Sequence, residues 1–182
     1  PPDRPTDRTG AGATTRGRVC HAPIRGPVMA ELSQTRLLLI VTGSALRAEE
    51  VDRPLADYLQ KQIQEYLHSL DDQGGLQVRV VSDLRWLHDE TFQEMPTISI
   101  GGPGVNLLAH RWLEELPLSL AVEDQYFIQM DPDLGELKVS LWGMDNPNTQ
   151  IAVSAFLGRF LPRFIERYLS EKPDTIDLDE FD

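Results

Sequence analysis

An α/β sandwich, with helices on both faces of a mixed sheet of five or six strands, is the fold class this sequence predicts. Three observations predict it. Pro96 to Asn106 reads as a short buried strand running through a glycine-rich turn into a helix, the unit from which open α/β sheets are built. Short apolar runs alternate with amphipathic stretches at helical spacing along most of the chain. A turn of strong local chemistry, Asp131-Pro132-Asp133-Leu134-Gly135, joins two late strands as an antiparallel hairpin.

Leu37 to Val41 is a solid apolar run closed by Thr42-Gly43-Ser44. It is too short to span a membrane and reads as a buried parallel strand. A secretory leader from Met29 onward is disfavoured by Glu31 and Arg47. Asp52 reads as the cap of the next helix, with Pro54 in its first turn and Val51, Leu55, Leu59, Ile63, Tyr66, Leu67 and Leu70 at helical spacing. That helix is expected over 52–70. Leu76 to Val81 is a second strand, ending at Ser82-Asp83, and 84–95 is either a short helix or a loop.

Thr97 to Ile100 is the third strand, and a helix over 104–115 follows the glycine turn. Leu118 to Val122, Tyr126 to Met130 and Leu137 to Trp142 complete the strands. The last helix is expected over 147–169, with Asn146 as its N-cap, Pro147 at its first position and a kink at Pro162. The element order is thus β-α-β-(α)-β-α-β-β-β-α.

The 182 residues suffice for one domain with a real core. That domain is expected over 34–170, between a Pro/Arg/Gly-rich extension at 1–33 and an acidic tail at 171–182. Met29 reads as the natural start, with 1–28 as an upstream segment. The net charge is −12, which argues against nucleic acid and anionic membrane surfaces. Residues 1–28 run the other way, with five Arg and two Asp, and form either a mere extension or a basic arm for an acidic partner. The tail pairs acids with Ile176, Leu178 and Phe181. It reads as a solvated end or as a segment that lies on a neighbouring subunit or partner, its apolar side chains in a groove. Opposite charges at the two ends suggest a homo-oligomer. Cys20 is the one cysteine, so no disulfide forms within the chain, and a cytoplasmic setting is expected.

No complete catalytic or metal motif appears. His68, His88 and His110 lack zinc spacing, no Gly-x-Ser-x-Gly elbow is present, and no cofactor is implied. What remains is the polar edge. Gly101-Gly102-Pro103-Gly104-Val105-Asn106 can expose backbone N–H groups at a helix start, which favours an anion. It has neither the dinucleotide fingerprint nor a P-loop Lys. Flavodoxins carry a small hydroxyl loop where Thr42-Gly43-Ser44 stands. That likeness is one Thr-Gly pair and the chain's size, and the fold is expected to be Rossmann-like or flavodoxin-like. Asp83 and Asp145 each follow a strand.

If the first, second, third and last strands are parallel, these four loops share one edge, where open α/β sheets bind ligands. The expected ligand is small and anionic or nucleotide-like. It is met by Thr42, Gly43, Ser44, Asp83, Gly101, Gly102, Gly104, Asn106, Asp145 and Asn146, with Asn106→Ala expected to spare the fold. The alternative is a non-enzymatic structural or interaction protein that oligomerises through its tails.

Overall fold

The computed structural model describes residues 36–70, 75–122 and 125–170. All of them belong to the unit Ser33–Asp182. The basic extension, Cys20 and the acidic tail lie outside the described residues.

The chain folds as an α/β sandwich on one six-stranded sheet, order β2-β1-β3-β6-β5-β4. The strands are β1 (Arg36–Thr42), β2 (Leu76–Ser82), β3 (Thr97–Ile100), β4 (Leu118–Val122), β5 (Tyr126–Met130) and β6 (Lys138–Gly143). β2, β1, β3 and β6 pair in parallel, and β5 and β4 add on antiparallel. The helices are α1 (Leu46–Ser69), α2 (Asp83–His88), α3 (Glu90–Glu94), α4 (Leu107–Glu115), α5 (Asn146–Arg159) and α6 (Leu161–Ser170).

Period-two alternation divides the buried strands between two cores. Leu38, Ile40, Ile98, Ile100, Val139 and Leu141 meet α1, α5 and α6 on one face. Leu39 and Val41 meet Trp86 of α2 and Leu108 and Trp112 of α4 on the other. The faces differ in chemistry. The α1 side is apolar over its central strands. The α4 side carries a row of polar side chains, because Ser99 pairs with Ser140 and Ser140 with Gln129. Trp86 Nε1 donates to Thr97 Oγ1 at 3.1 Å. Gln129 Nε2 donates to the carbonyls of Leu113 and Leu116, which fastens the end of α4 to β5.

Four helix boundaries depart from the sequence expectation. α4 begins at Leu107 and not at 104, because Asn106 caps it from an extended backbone. α1 begins at Leu46, with Ala45 as N-cap, so Asp52 and Pro54 lie inside it. Its inward stripe is Ala48, Asp52, Ala56, Leu59, Ile63 and Leu67. The first half of that stripe is small or acidic and shows no apolar period. Asp145, not Asn146, caps α5, accepting from Asn148 N at 2.9 Å. The long last helix is two, broken at Phe160, with Pro162 in the first turn of α6, where its missing N–H removes no internal bond. Among the described residues no helix is long and apolar enough to cross a membrane.

Trp112 is buried edge-on against Trp86, with ring centroids 5.5 Å apart. Trp112→Ala should lower stability by about 3–5 kcal/mol, read as a fall in the urea midpoint at unchanged m-value.

Candidate functional site

β1, β2 and β3 end in register, and β6 runs two residues further in the same direction. Thr42 lies beside Ser82 and Ile100, and Ile100 beside Leu141. The loops at Thr42-Gly43-Ser44, Ser82-Asp83, Gly101 to Asn106 and Gly143 to Asn146 therefore share one edge of the sheet. The connections reverse there. α1 leaves β1 over one face toward β2, and α2 and α3 return over the other face to reach β3. The switch in direction falls between β1 and β3.

Two of the residues expected to face a ligand are committed to the protein itself. Asp83 is buried. Its Oδ1 accepts from Ser44 N at 2.9 Å and Leu84 N at 2.7 Å, and its Oδ2 accepts from Leu107 N at 2.8 Å. Leu107 opens α4, so the place where a bound anion would meet that helix holds the protein's own carboxylate. Asn106 is buried beside it. Its oxygen accepts from Leu108 N and Ala109 N, and its amide donates to Ser99 Oγ at 3.0 Å and to the carbonyls of Ile100 and Val41 at 2.9 and 3.4 Å. An Ala at 106 would not spare the fold, contrary to the sequence expectation, because it would strip the cap and leave buried groups without partners.

The other expected residues divide between packing and rim. A Cβ on Gly43 would strike the carbonyl of Val105, so the first and third loops press together there. One on Gly143 would strike Asn148. Gly104 faces open space, and a side chain at Gly102 would meet only ordinary contacts. Asp145 and Asn146 are exposed on the first turn of α5, where Asp145 also accepts from Asn148 Nδ2.

Asp52 was not among the expected site residues. It lies on the inward stripe of α1 between Ala48 and Ala56, is only 6% exposed and makes no hydrogen bond among the described residues. Its carboxylate stands over Gly101: a Cβ added there would be 2.6 Å from Asp52 Oδ2. Gly101 also has φ +101°, so glycine is required twice, by conformation and by the carboxylate above it. Burial pushes the Asp52 carboxyl up to about 6, against a smaller opposing pull from Arg47. Thr42, at the end of β1 and on the α1 side of the sheet by alternation, is fully buried with no partner for its hydroxyl. The sequence reads Asp52 as a helix cap, and the one signal for an inward carboxyl is its spacing of four residues from Ala48 and from Ala56.

The helix N-termini differ. Ser82, Asp89, Asn106 and Asp145 cap α2, α3, α4 and α5 with side-chain acceptors, whereas α1 begins at Ala45 with none. Around the edge stand exposed apolar side chains: Leu46 at 76%, Met144 at 69%, Leu107 at 50% and Leu84 at 44%. Two hollows lie elsewhere. One of about 370 Å³ runs between α1 and α5 past Val51, Tyr58 and Gln150, and one of about 300 Å³ opens near the amino-terminal end of β6. Among the described residues no group of three or more His, Cys, Asp or Glu side chains is gathered closely enough to hold a metal ion. Neither a scan against models of protein families nor a search of curated proteins finds a match for this sequence.

Two outcomes follow from this edge. Asn106→Ala should lose about 2–4 kcal/mol, from the cap and the unpaired carbonyls together, measured by chemical denaturation. Asp52 holds its proton more tightly folded than unfolded. Stability should therefore fall as pH rises from the ordinary value of 3.8 through about 6. Asp52→Asn should remove that slope. Its gain over wild type should be absent near pH ~4 and reach on the order of 2–3 kcal/mol above pH ~7, read from melts across that range.

Proposed function

We propose that the protein is a binding module for a small nucleotide-like ligand, seated at the carboxyl ends of β1 and β3. The observation that carries this reading is Asp52, a buried carboxyl without a hydrogen bond, standing over Gly101 at the switch in strand order. An unpaired buried carboxyl is costly, and such groups gather where a ligand or a reaction uses them. The Thr42 hydroxyl adds a second unspent group on the same side of the sheet. Open α/β sheets take their ligands at this point in the topology.

The chemistry of the ligand follows from what is spent and what is free. The N-terminus of α4 is occupied by Asp83, so the anionic end of the ligand is assigned to α1. Its first-turn amides have no side-chain cap, and Arg47 in that turn adds a positive charge that Asp52 feels. Asp52 and Thr42 suit a group with hydrogen-bond donors, such as the hydroxyls of a ribose. Thr42, Gly43, Ser44, Gly101 and Gly102 stay in the proposed site, joined by Arg47 and Asp52. Gly104, Asp145 and Asn146 form its rim, and Asp83 and Asn106 position its loops.

A second reading is a non-enzymatic interaction protein that assembles with its own copies. The exposed ring of Leu46, Leu84, Leu107 and Met144 favours it. Under that reading Leu46→Glu with Met144→Glu should lower the mass seen by light scattering.

Thermal melts with inorganic phosphate, sugar phosphates and nucleoside mono- and diphosphates test the first reading. A ligand at about a hundredfold its Kd stabilises by about 2.7 kcal/mol, a shift of several degrees. At least one member of the panel should give that shift, and Arg47→Ala and Asp52→Ala should each diminish it. A panel with no shift, or a shift that both variants keep, would overturn the reading.

A further inference from the structure

The hollow of about 300 Å³ lies at the opposite edge of the sheet from Asp52, and its lining is of a different kind. Pro117, Leu118, Met130, Leu134 and Phe160 make it mainly apolar, and Arg163 stands in its wall. Leu134 is directed there by a strained turn. It has φ +55° although it is not glycine, a conformation that costs on the order of 1 kcal/mol. The turn is held by Asp131, whose carboxylate accepts from Asp133 N at 3.0 Å and Gly135 N at 2.7 Å. Leu118, on the other wall, is an exposed leucine on an edge strand.

Arg163 lines the hollow, and Arg159 precedes another lining residue, Phe160. The two arginines are four residues apart across the break between α5 and α6 and are both exposed. Neither forms an ion pair among the described residues.

We propose that this hollow is the docking site of the chain's own acidic tail, with Leu178 in the apolar pocket and the neighbouring acids on Arg159 and Arg163. Charge selects this segment. Residues 174–182 hold five acids and no base, whereas residues 1–28 are net basic and would be repelled. Pattern selects it too, since Ile176-Asp177-Leu178-Asp179 sends apolar and acidic side chains to opposite sides of an extended chain. Length permits it. From Ser170 back to Arg163 is about 10 Å along α6, and the eight residues 171–178 reach up to about 26 Å when extended. The inference is independent of the ligand site at the other edge.

Hydrogen–deuterium exchange on the full chain tests it. Amides of 176–181 should exchange slower by about tenfold or more than in a free peptide of the same sequence. Arg163→Glu and Leu178→Asp should each abolish that protection while the far-ultraviolet circular dichroism stays unchanged. Tail amides that exchange at peptide rates in the wild type, or protection that survives Arg163→Glu, would overturn the proposal. So would stabilisation by decanoate of a chain whose tail is unprotected, since the hollow would then belong to a small apolar carboxylate.

Discussion

Asp83 sets one carboxylate among amides from three segments: Ser44 in the first loop, Leu84 in the second and Leu107 at the start of α4. All three bonds converge on a side chain that is almost completely buried. Asn106 continues the same knot inward, joining the start of α4 to the ends of β1 and β3. The apolar core fixes which faces meet. It does not fix how the loops at the strand ends are arranged, because backbone amides there have no ladder to join. The rest of the carboxyl edge therefore depends on two polar side chains. The tight fit of Gly43 against Val105 is possible only while they hold.

That knot changes the electrostatics of the edge. In many open α/β sheets the helix following the glycine turn offers its positive end to a ligand. Here that end is neutralised from within, whereas the start of α1 has no side-chain cap. The unpaired acid also moves to α1. Asp52 is held at a free-energy cost by a helix whose neighbouring inward positions, Ala48 and Ala56, are small enough to admit it. The two acids thus play opposite parts. Asp83 has three backbone partners and stabilises the fold, whereas Asp52 has none among the described residues and its burial disfavours the ionised form.

Much of the fold was legible because the relevant signals are local. A four-residue run with isoleucine at alternate positions, leading into a glycine turn, marked β3, and Asp131 to Gly135 marked the return between β5 and β6. The parallel direction of β6, left open by the hairpin, was settled by its pairing with β3. The start of α1 was missed because alanines and an aspartate do not register as an apolar stripe, so Pro54 drew the boundary too late. The candidate site was legible as an edge and not as a set of roles. An Asn before a helix reads the same whether its amide faces solvent or the sheet. The bond from Asp83 to Leu107 joins residues 24 apart, and no spacing in the sequence announces it. Asp52 became a candidate only when Gly101 was seen beneath it.

The unlike faces of the sheet have a consequence for strand pairing. Alternating β-branched residues alone tolerate a slip, since Ile98 and Ile100 would find apolar neighbours in several alignments. Thr97 and Ser99 would not. Shifted by one residue, their hydroxyls would turn toward α1, α5 and α6, away from the indole of Trp86 and the amide of Asn106 that now bond them. Each stranded hydroxyl would cost about 1–3 kcal/mol, comparable with a fair share of a small domain's net stability. Two hydroxyls on the shortest of the parallel strands thus act as a key for its alignment, admitting β3 between β1 and β6 in one setting and rejecting its near misses.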